Sequence, residues 1–155
     1  RASVALLSGI VCVTLFLSGT LTLGREYVSE YQLINADQVQ AAEYVKANTE
    51  PDAMFLTYNN HNNCIAALTG RNIVCGSGSY LFFHGVDYST REEALALLYE
   101  QPSTYFIALA KEYHIDYVLI GDNERANYNI DFDYFESRFD VFYQNDSVVI
   151  YRVQF

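Results

Sequence analysis

From Ser3 to Leu23 the chain reads SVALLSGIVCVTLFLSGTLTL, 21 consecutive positions without a charged side chain. Wound as a helix at about 1.5 Å per residue, such a run crosses a hydrocarbon core of about 30 Å. No other feature restricts the fold as strongly, because a backbone in lipid must satisfy its hydrogen bonds internally. A signal peptide and a buried helix of a soluble core are the competing readings. A signal peptide has a shorter apolar region, usually about 7–15 residues, followed by a small-x-small cleavage site. This run is longer and ends in Thr22-Leu23-Gly24-Arg25. The reading adopted is a transmembrane helix over 1–24, expected to be the last span of a longer protein because Arg1 enters it without an initiator methionine. Ser8, Cys12 and Gly19 fall near one helical face. That stripe reads either as a packing surface for other spans or as the ordinary small-residue content of a lipid-facing helix.

Charge then limits what the rest can do. The chain has a net charge of −10 and only two lysines, Lys46 and Lys111, which argues against nucleic acid as a partner, since neutralising phosphates needs a Lys/Arg surface. An apolar share of 51% with 15% aromatics points to a packed core rather than disorder. Arg1 on one side of the span and Arg25 beside Glu26 on the other give the positive-inside rule little to count. Residues 24–155, however, carry eight basic and nineteen acidic side chains. An anionic cytoplasmic leaflet would repel such a domain, so the expected location is the extracytoplasmic side of a cell membrane.

Residues 25–36 read as a juxtamembrane connector, with Tyr27 and Tyr31 suited to the headgroup region, and residues 37–155 as the domain. Asp37 with Gln40 gives a capping-box pattern, and a helix follows until Asn48 to Pro51. Ala53 to Tyr58 and Asn72 to Cys75 read as short strands around a helix over 64–68 that Gly70 closes. A Gly-Ser-Gly-Ser turn and an aromatic loop, Tyr80 to Tyr88, come next. Ser89 with Glu92 marks another helix start, Gln101-Pro102 its end and Ser103 the next beginning. Asp116 to Gly121 is the clearest parallel-type strand, and 139–144 with 147–153 form a hairpin across Asn145-Asp146. This alternation predicts an α/β fold: a three-layer domain with a mixed, mainly parallel sheet and a C-terminal β-hairpin, preceded by one transmembrane helix.

In an open α/β sheet ligands collect at the C-terminal ends of the strands, which draws attention to Asn59-Asn60-His61, to Gly76 to Ser79 and to Gly121-Asp122-Asn123. The Gly-Ser-Gly-Ser string is a phosphate cradle or a plain turn; it lacks the Gly-Lys-Ser/Thr of a P-loop and is not expected to open a helix directly. His84, Asp87, Tyr88 and Arg91 form the densest constellation. A His with a carboxylate three residues on is an oriented acid/base pair, and an Arg grips phosphate bidentately; the alternative is a loop entering a helix with a local Arg–Asp pair. Asn60 and His61 suit sugar hydroxyls or a helix cap, Arg71 suits a ligand or an internal ion pair, and His114 reads as structural. Cys64 and Cys75, eleven apart, allow a disulfide or two free, half-buried thiols. No zinc spacing, nucleophile elbow or Ca²⁺-loop motif occurs, so neither a metal nor a cofactor is expected. Asn145-Asp146-Ser147 matches a glycosylation sequon but reads as the hairpin turn.

Several strings, in order, carry a likeness: Ala42 to Thr49 (AEYVKANT), Asp52 to Thr57 (DAMFLT), Leu68 to Arg71 (LTGR), His84 to Tyr88 (HGVDY), Asp116 to Gly121 (DYVLIG) and Ile150 to Val153 (IYRV). Over roughly 37–153 the chain resembles the C-terminal extracytoplasmic domain of multi-spanning bacterial membrane proteins related to the GT-C glycosyltransferases, which take sugars from polyprenyl-phosphate carriers. The resemblance implies an accessory domain beside the remaining transmembrane part of the same protein, contacting lipid-linked sugar or acceptor. Asn60, His61, Arg71, His84, Asp87, Tyr88 and Arg91 would be its contact residues, with His84, Asp87 and Arg91 at the membrane-facing opening. The catalytic acid of that superfamily lies early in the membrane domain, so no catalytic residue carries over to this chain. The alternatives are a non-catalytic structural or protein-interaction domain, and a free-standing hydrolase using His61 or His84.

Overall fold

The structure, a computed structural model, describes residues 2–29 and 32–155. Arg1, which entered the orientation count, and Tyr31, expected at headgroup depth, lie outside the described residues. The chain divides into two compact units, the second beginning at Leu33.

The first unit is one helix, α1 (Ala2–Val28), without a buried residue. It is long and apolar enough to cross a membrane and continues through Val28, past the expected end near Gly24. The hydroxyls of Thr14, Thr20 and Thr22 donate to the carbonyls of Ile10, Phe16 and Ser18 at 2.8, 2.8 and 3.0 Å. A helix in lipid needs this internal satisfaction, since no water is there to replace it.

The second unit is an α/β fold on a mixed five-stranded sheet in the order β2-β1-β3-β5-β4. It opens with α2 (Ala36–Asn48), whose cap is Asn35 rather than Asp37: Asn35 Oδ1 accepts from Gln38 N at 2.8 Å while Gln38 Oε1 accepts from Asn35 N at 3.0 Å. The capping box is thus present two residues before its expected place, and Asp37 instead holds the hairpin, accepting from Ser147 Oγ at 2.9 Å. Then come β1 (Met54–Leu56), α3 (Cys64–Thr69), β2 (Asn72–Ile73), α4 (Gly78–Phe83), α5 (Ser89–Glu100), α6 (Pro102–Glu112), β3 (Tyr117–Ile120), α7 (Asp122–Asn127), α8 (Phe132–Arg138), β4 (Asp140–Gln144) and β5 (Val149–Arg152). Asn63 caps α3, and Gly70, at φ +71°, ends it in the left-handed conformation that favours glycine.

Strands β2, β1 and β3 run parallel, whereas β5 is antiparallel to both β3 and β4. The sheet is therefore evenly divided between parallel and antiparallel pairings instead of mainly parallel. The reason lies in the connections: β4 and β5 are joined by a four-residue loop, and only a longer crossover brings a strand back parallel.

Alternation along the strands sends side chains to two cores. Phe55, Tyr117, Leu119 and Ile150 pack with Ala41, Ala42, Val45 and Ile65 of α2 and α3. Leu56, Val118, Ile120, Val149 and Tyr151 pack with Leu95, Leu98, Phe106, Ala110 and Phe135 of α5, α6 and α8. Helices thus cover both faces of the sheet. Ser89 is the first residue of α5 and not its cap; the Asp87 carboxylate two residues earlier accepts from Ser89 N at 3.0 Å. The segment 80–88, expected as a loop, contains most of α4, a short helix that Gly85 (φ +68°) follows.

Candidate functional site

Strand β1 has its chain successor β2 on one side and β3, which arrives after three helices, on the other. That arrangement makes the C-terminal ends of β1 and β3 the switch point where an α/β sheet opens a crevice. One side chain fills its floor. Glu124, in the first turn of α7, is 2% exposed; its Oε1 accepts from Tyr58 N at 2.8 Å and its Oε2 from Gly121 N at 2.9 Å. The carboxylate therefore stitches the two strand exits together. Burial pushes the Glu124 carboxyl above the usual carboxylate range, opposed by the amides of Tyr58 and Gly121.

Aromatic rings wall this floor. Tyr99 is fully buried, and its hydroxyl donates to Leu119 O at 2.8 Å with Leu56 O at 3.1 Å, bridging β1 and β3 a second time. Tyr128 stacks on Tyr99 at 4.8 Å and meets Tyr58 edge-on at 6.0 Å. Burial raises the phenols of Tyr99 and Tyr128, with the Glu124 charge adding to both. Cys64 and Cys75 are free and buried, rather than half-buried. Burial lifts the Cys64 thiol to about 12 and raises that of Cys75, which leaves both as packing groups with little thiolate.

The rim is polar and open. Asn59 Nδ2 donates to Glu92 Oε1 at 2.7 Å, joining the exit of β1 to α5. Asn60 Oδ1 accepts from Asn62 N at 3.1 Å within its own loop. Exposed His61 lies edge-on to Tyr80 of α4, ring centres 5.0 Å apart. The Gly-Ser-Gly-Ser string, expected not to open a helix, does so: Ser77 is the cap position of α4, and its hydroxyl faces that of Ser79 at 3.1 Å instead of a backbone amide. A Cβ at Gly78 would come within 2.7 Å of the Tyr88 ring, so the absence of a side chain there is what lets Tyr88 close against the turn.

The remaining sequence candidates hold different partners. Asp87 is turned to Ser89 N, whose hydrogen bonds draw its carboxyl below the usual range. Arg91 Nη1 donates to Val74 O at 2.8 Å, and the guanidinium lies over the Tyr113 ring at 5.5 Å. Arg91 and Asp87 thus hold different partners. His84 follows α4 and is exposed. Arg71 precedes β2, at the other end of the strands: it donates to Lys46 O at 2.9 Å, to Thr49 O at 2.8 Å, to Thr69 O at 3.0 Å and to Thr49 Oγ1 at 3.1 Å. His61, Tyr80, Tyr88, Asn59 and Glu92 are what the fold brings to the rim.

Sequence reasoning passed over Glu124, Tyr58, Tyr80, Glu92, Tyr99 and Tyr128. A signal for the first existed: Gly121-x-x-Glu124 after the apolar strand has capping-box spacing. Among the described residues no group of three or more His, Cys, Asp or Glu side chains is placed to hold a metal ion. No family model and no curated protein sequence matches this chain.

Proposed function

We propose that the second unit is an accessory, extracytoplasmic ligand-contact domain of a membrane protein similar to the GT-C glycosyltransferases, and that its rim at the strand exits takes lipid-linked sugar or a glycan acceptor. The observation that carries this reading is the meeting of an exposed imidazole and phenol, His61 and Tyr80, beside the Asn59–Glu92 pair at the exits of β1 and β2. Sugars present hydroxyls to amides and carboxylates and C–H faces to aromatic rings, and this rim holds both kinds of group. Tyr88, pressed against Gly78, extends the aromatic part. The long apolar α1 supplies the anchor that such a location requires, and the acidic balance of residues 24–155 favours the extracytoplasmic side. In this reading the domain binds and positions, and the chemistry belongs to another part of the protein.

The test is titration of polyprenyl-phosphate sugars and short glycans onto the full chain in nanodiscs, with NMR detection at His61 and Tyr80. Ligand-dependent shifts there, weakened roughly 3–10-fold in His61→Ala and in Tyr80→Ala, are the expected result. A folded chain that binds none of these would assign the domain a structural or protein-interaction role.

A further inference from the structure

We infer that α4 and the turn after it form a membrane-surface contact, in which Tyr80, Phe82, Phe83 and Val86 enter the headgroup boundary of the bilayer that α1 spans. The patch adjoins the sugar-binding rim and shares Tyr80 with it, but the inference rests on α1 as a membrane anchor and not on sugar binding.

Four observations point to lipid. Phe82 and Phe83, 68% and 84% exposed, pack edge-on against each other at 5.6 Å instead of on a core, and Tyr80 and Val86 are exposed beside them. An exposed aromatic cluster on a domain with this many buried rings marks a contact surface. Second, no Asp, Glu, Lys or Arg occurs from Asn72 through Val86. This neutral gap lies in a domain whose acidic surface would be repelled by a second copy of itself, so a like-charged partner is disfavoured while an apolar one is not. Third, the polar backbone of the tip is already satisfied: His84 N donates to Tyr80 O at 3.1 Å, Gly85 N to Phe82 O at 3.0 Å and Val86 N to Leu81 O at 2.9 Å. A tip of this kind carries few unpaired amides into an apolar medium. Fourth, the same polypeptide carries α1, a helix long and apolar enough to cross a membrane. Tethering keeps the domain at high effective concentration near the bilayer, so a small patch suffices. Tyrosine with phenylalanine is the composition that settles at the headgroup level, about 5–10 Å into the boundary.

The chain contains no tryptophan, so Phe83→Trp creates a single reporter. The full-length variant is reconstituted into phosphatidylcholine vesicles, and fluorescence is compared with lipids brominated in the upper acyl chain. Val141→Trp, on the exposed β4 at the opposite sheet edge, is the control. Blue-shifted emission of Phe83→Trp that the bromines quench, with red, unquenched emission of Val141→Trp, is expected. Red and unquenched Phe83→Trp emission would overturn the proposal. Blue-shifted but unquenched emission would overturn it too, by showing that protein covers the patch. Vesicle flotation distinguishes the premise: a chain that fails to float would remove the anchor and the contact together.

Discussion

The two ends of the β1–β3 strand pair are each closed by one carboxylate, and the ends differ in what surrounds it. At the N-terminal end Asp116 is exposed, its Oδ2 accepting from Met54 N at 2.9 Å, with Asp116 N returning a bond to Met54 O at 3.0 Å. A cavity of about 450 Å³ lies there, lined by Glu50, Asp52, His114, Asp116 and Arg152 among others. At the C-terminal end Glu124 makes the same kind of stitch while buried among Tyr58, Tyr99 and Tyr128. One stitch stands in water and costs little; the other removes a charge from water and is offset mainly by the amides of Tyr58 and Gly121, with Arg125 helping. The cavity and the buried carboxylate are therefore at opposite ends of this sheet. Burying an ionisable group where a hydrophobic residue would pack is a pattern common at functional sites, which is why the proposed ligand contact is put at the C-terminal end.

Replacing the two carboxylates gives the largest test of that contrast. Glu124→Ala leaves the amides of Tyr58 and Gly121 buried without a partner, and at about 1–3 kcal/mol each the expected loss is about 2–6 kcal/mol. Asp116→Ala hands its amide to water and should cost about 1 kcal/mol or less. Urea unfolding of the full chain in mild detergent, followed by tyrosine near-UV dichroism, measures both. Equal losses would erase the distinction between the ends.

A second effect concerns pH. Burial raises the Glu124 carboxyl above its ordinary value of 4.5, so the native state keeps that proton to higher pH than the unfolded chain does. The sign follows: the contribution of Glu124 is most favourable below 4.5 and is lost as pH rises from there through the raised value. The slope is at most about 1.4 kcal/mol per pH unit for one proton. Asp87, drawn downward by its bonds to Ser89, acts with the opposite sign, losing its contribution as pH falls. Comparing unfolding midpoints of the parent and Glu124→Gln across this range isolates the Glu124 part. A difference between the two that stays constant with pH would mean that Glu124 does not titrate differently on folding.

What the sequence made legible was the set of elements whose signals are local. Strand β3 is buried at all four positions and reads as a continuous apolar run. Helix α3 carries its own start and stop in Asn63 and Gly70, and the hairpin declares itself through Asn145. Helix α4 was illegible for the reason that makes it interesting: its aromatics point outward, so no buried stripe at helical spacing announces it. Among site residues, closeness in the chain did not translate into shared partners. His84, Asp87 and Arg91 are close in sequence, yet Arg91 is committed to Val74 and Tyr113. Glu124 meets Tyr58 across 66 positions, a separation that only the sheet topology closes.

Arg71 sharpens the comparison at intermediate size. Its guanidinium gathers three carbonyls and the Thr49 hydroxyl from the ends of α2 and α3. A lysine has one nitrogen and no fork to cover the same set. Arg71→Lys should therefore lose about 1–2 kcal/mol of stability in urea while glycan titration under native conditions stays as in the parent. Lost binding with unchanged stability would move the ligand surface to the N-terminal end of the strands.

The smallest effect is expected at His114, and it has the opposite sign. This residue follows the end of α6 at φ +54°, where Ile115 N returns to Ala110 O at 2.8 Å. An L side chain in that left-handed position carries a steric cost of about 1–2 kcal/mol, which glycine avoids. Glycine also gains freedom in the unfolded chain, which offsets about 0.4–1 kcal/mol of this benefit. His114→Gly should thus stabilise the domain by about 0.5 kcal/mol, read as a higher urea midpoint at unchanged slope. Because the imidazole is exposed and lines the cavity at the N-terminal end, its removal tests whether that end is chemically idle. A destabilisation in place of the gain would mean that the imidazole makes contacts that outweigh the strain, and the N-terminal end would then not be idle.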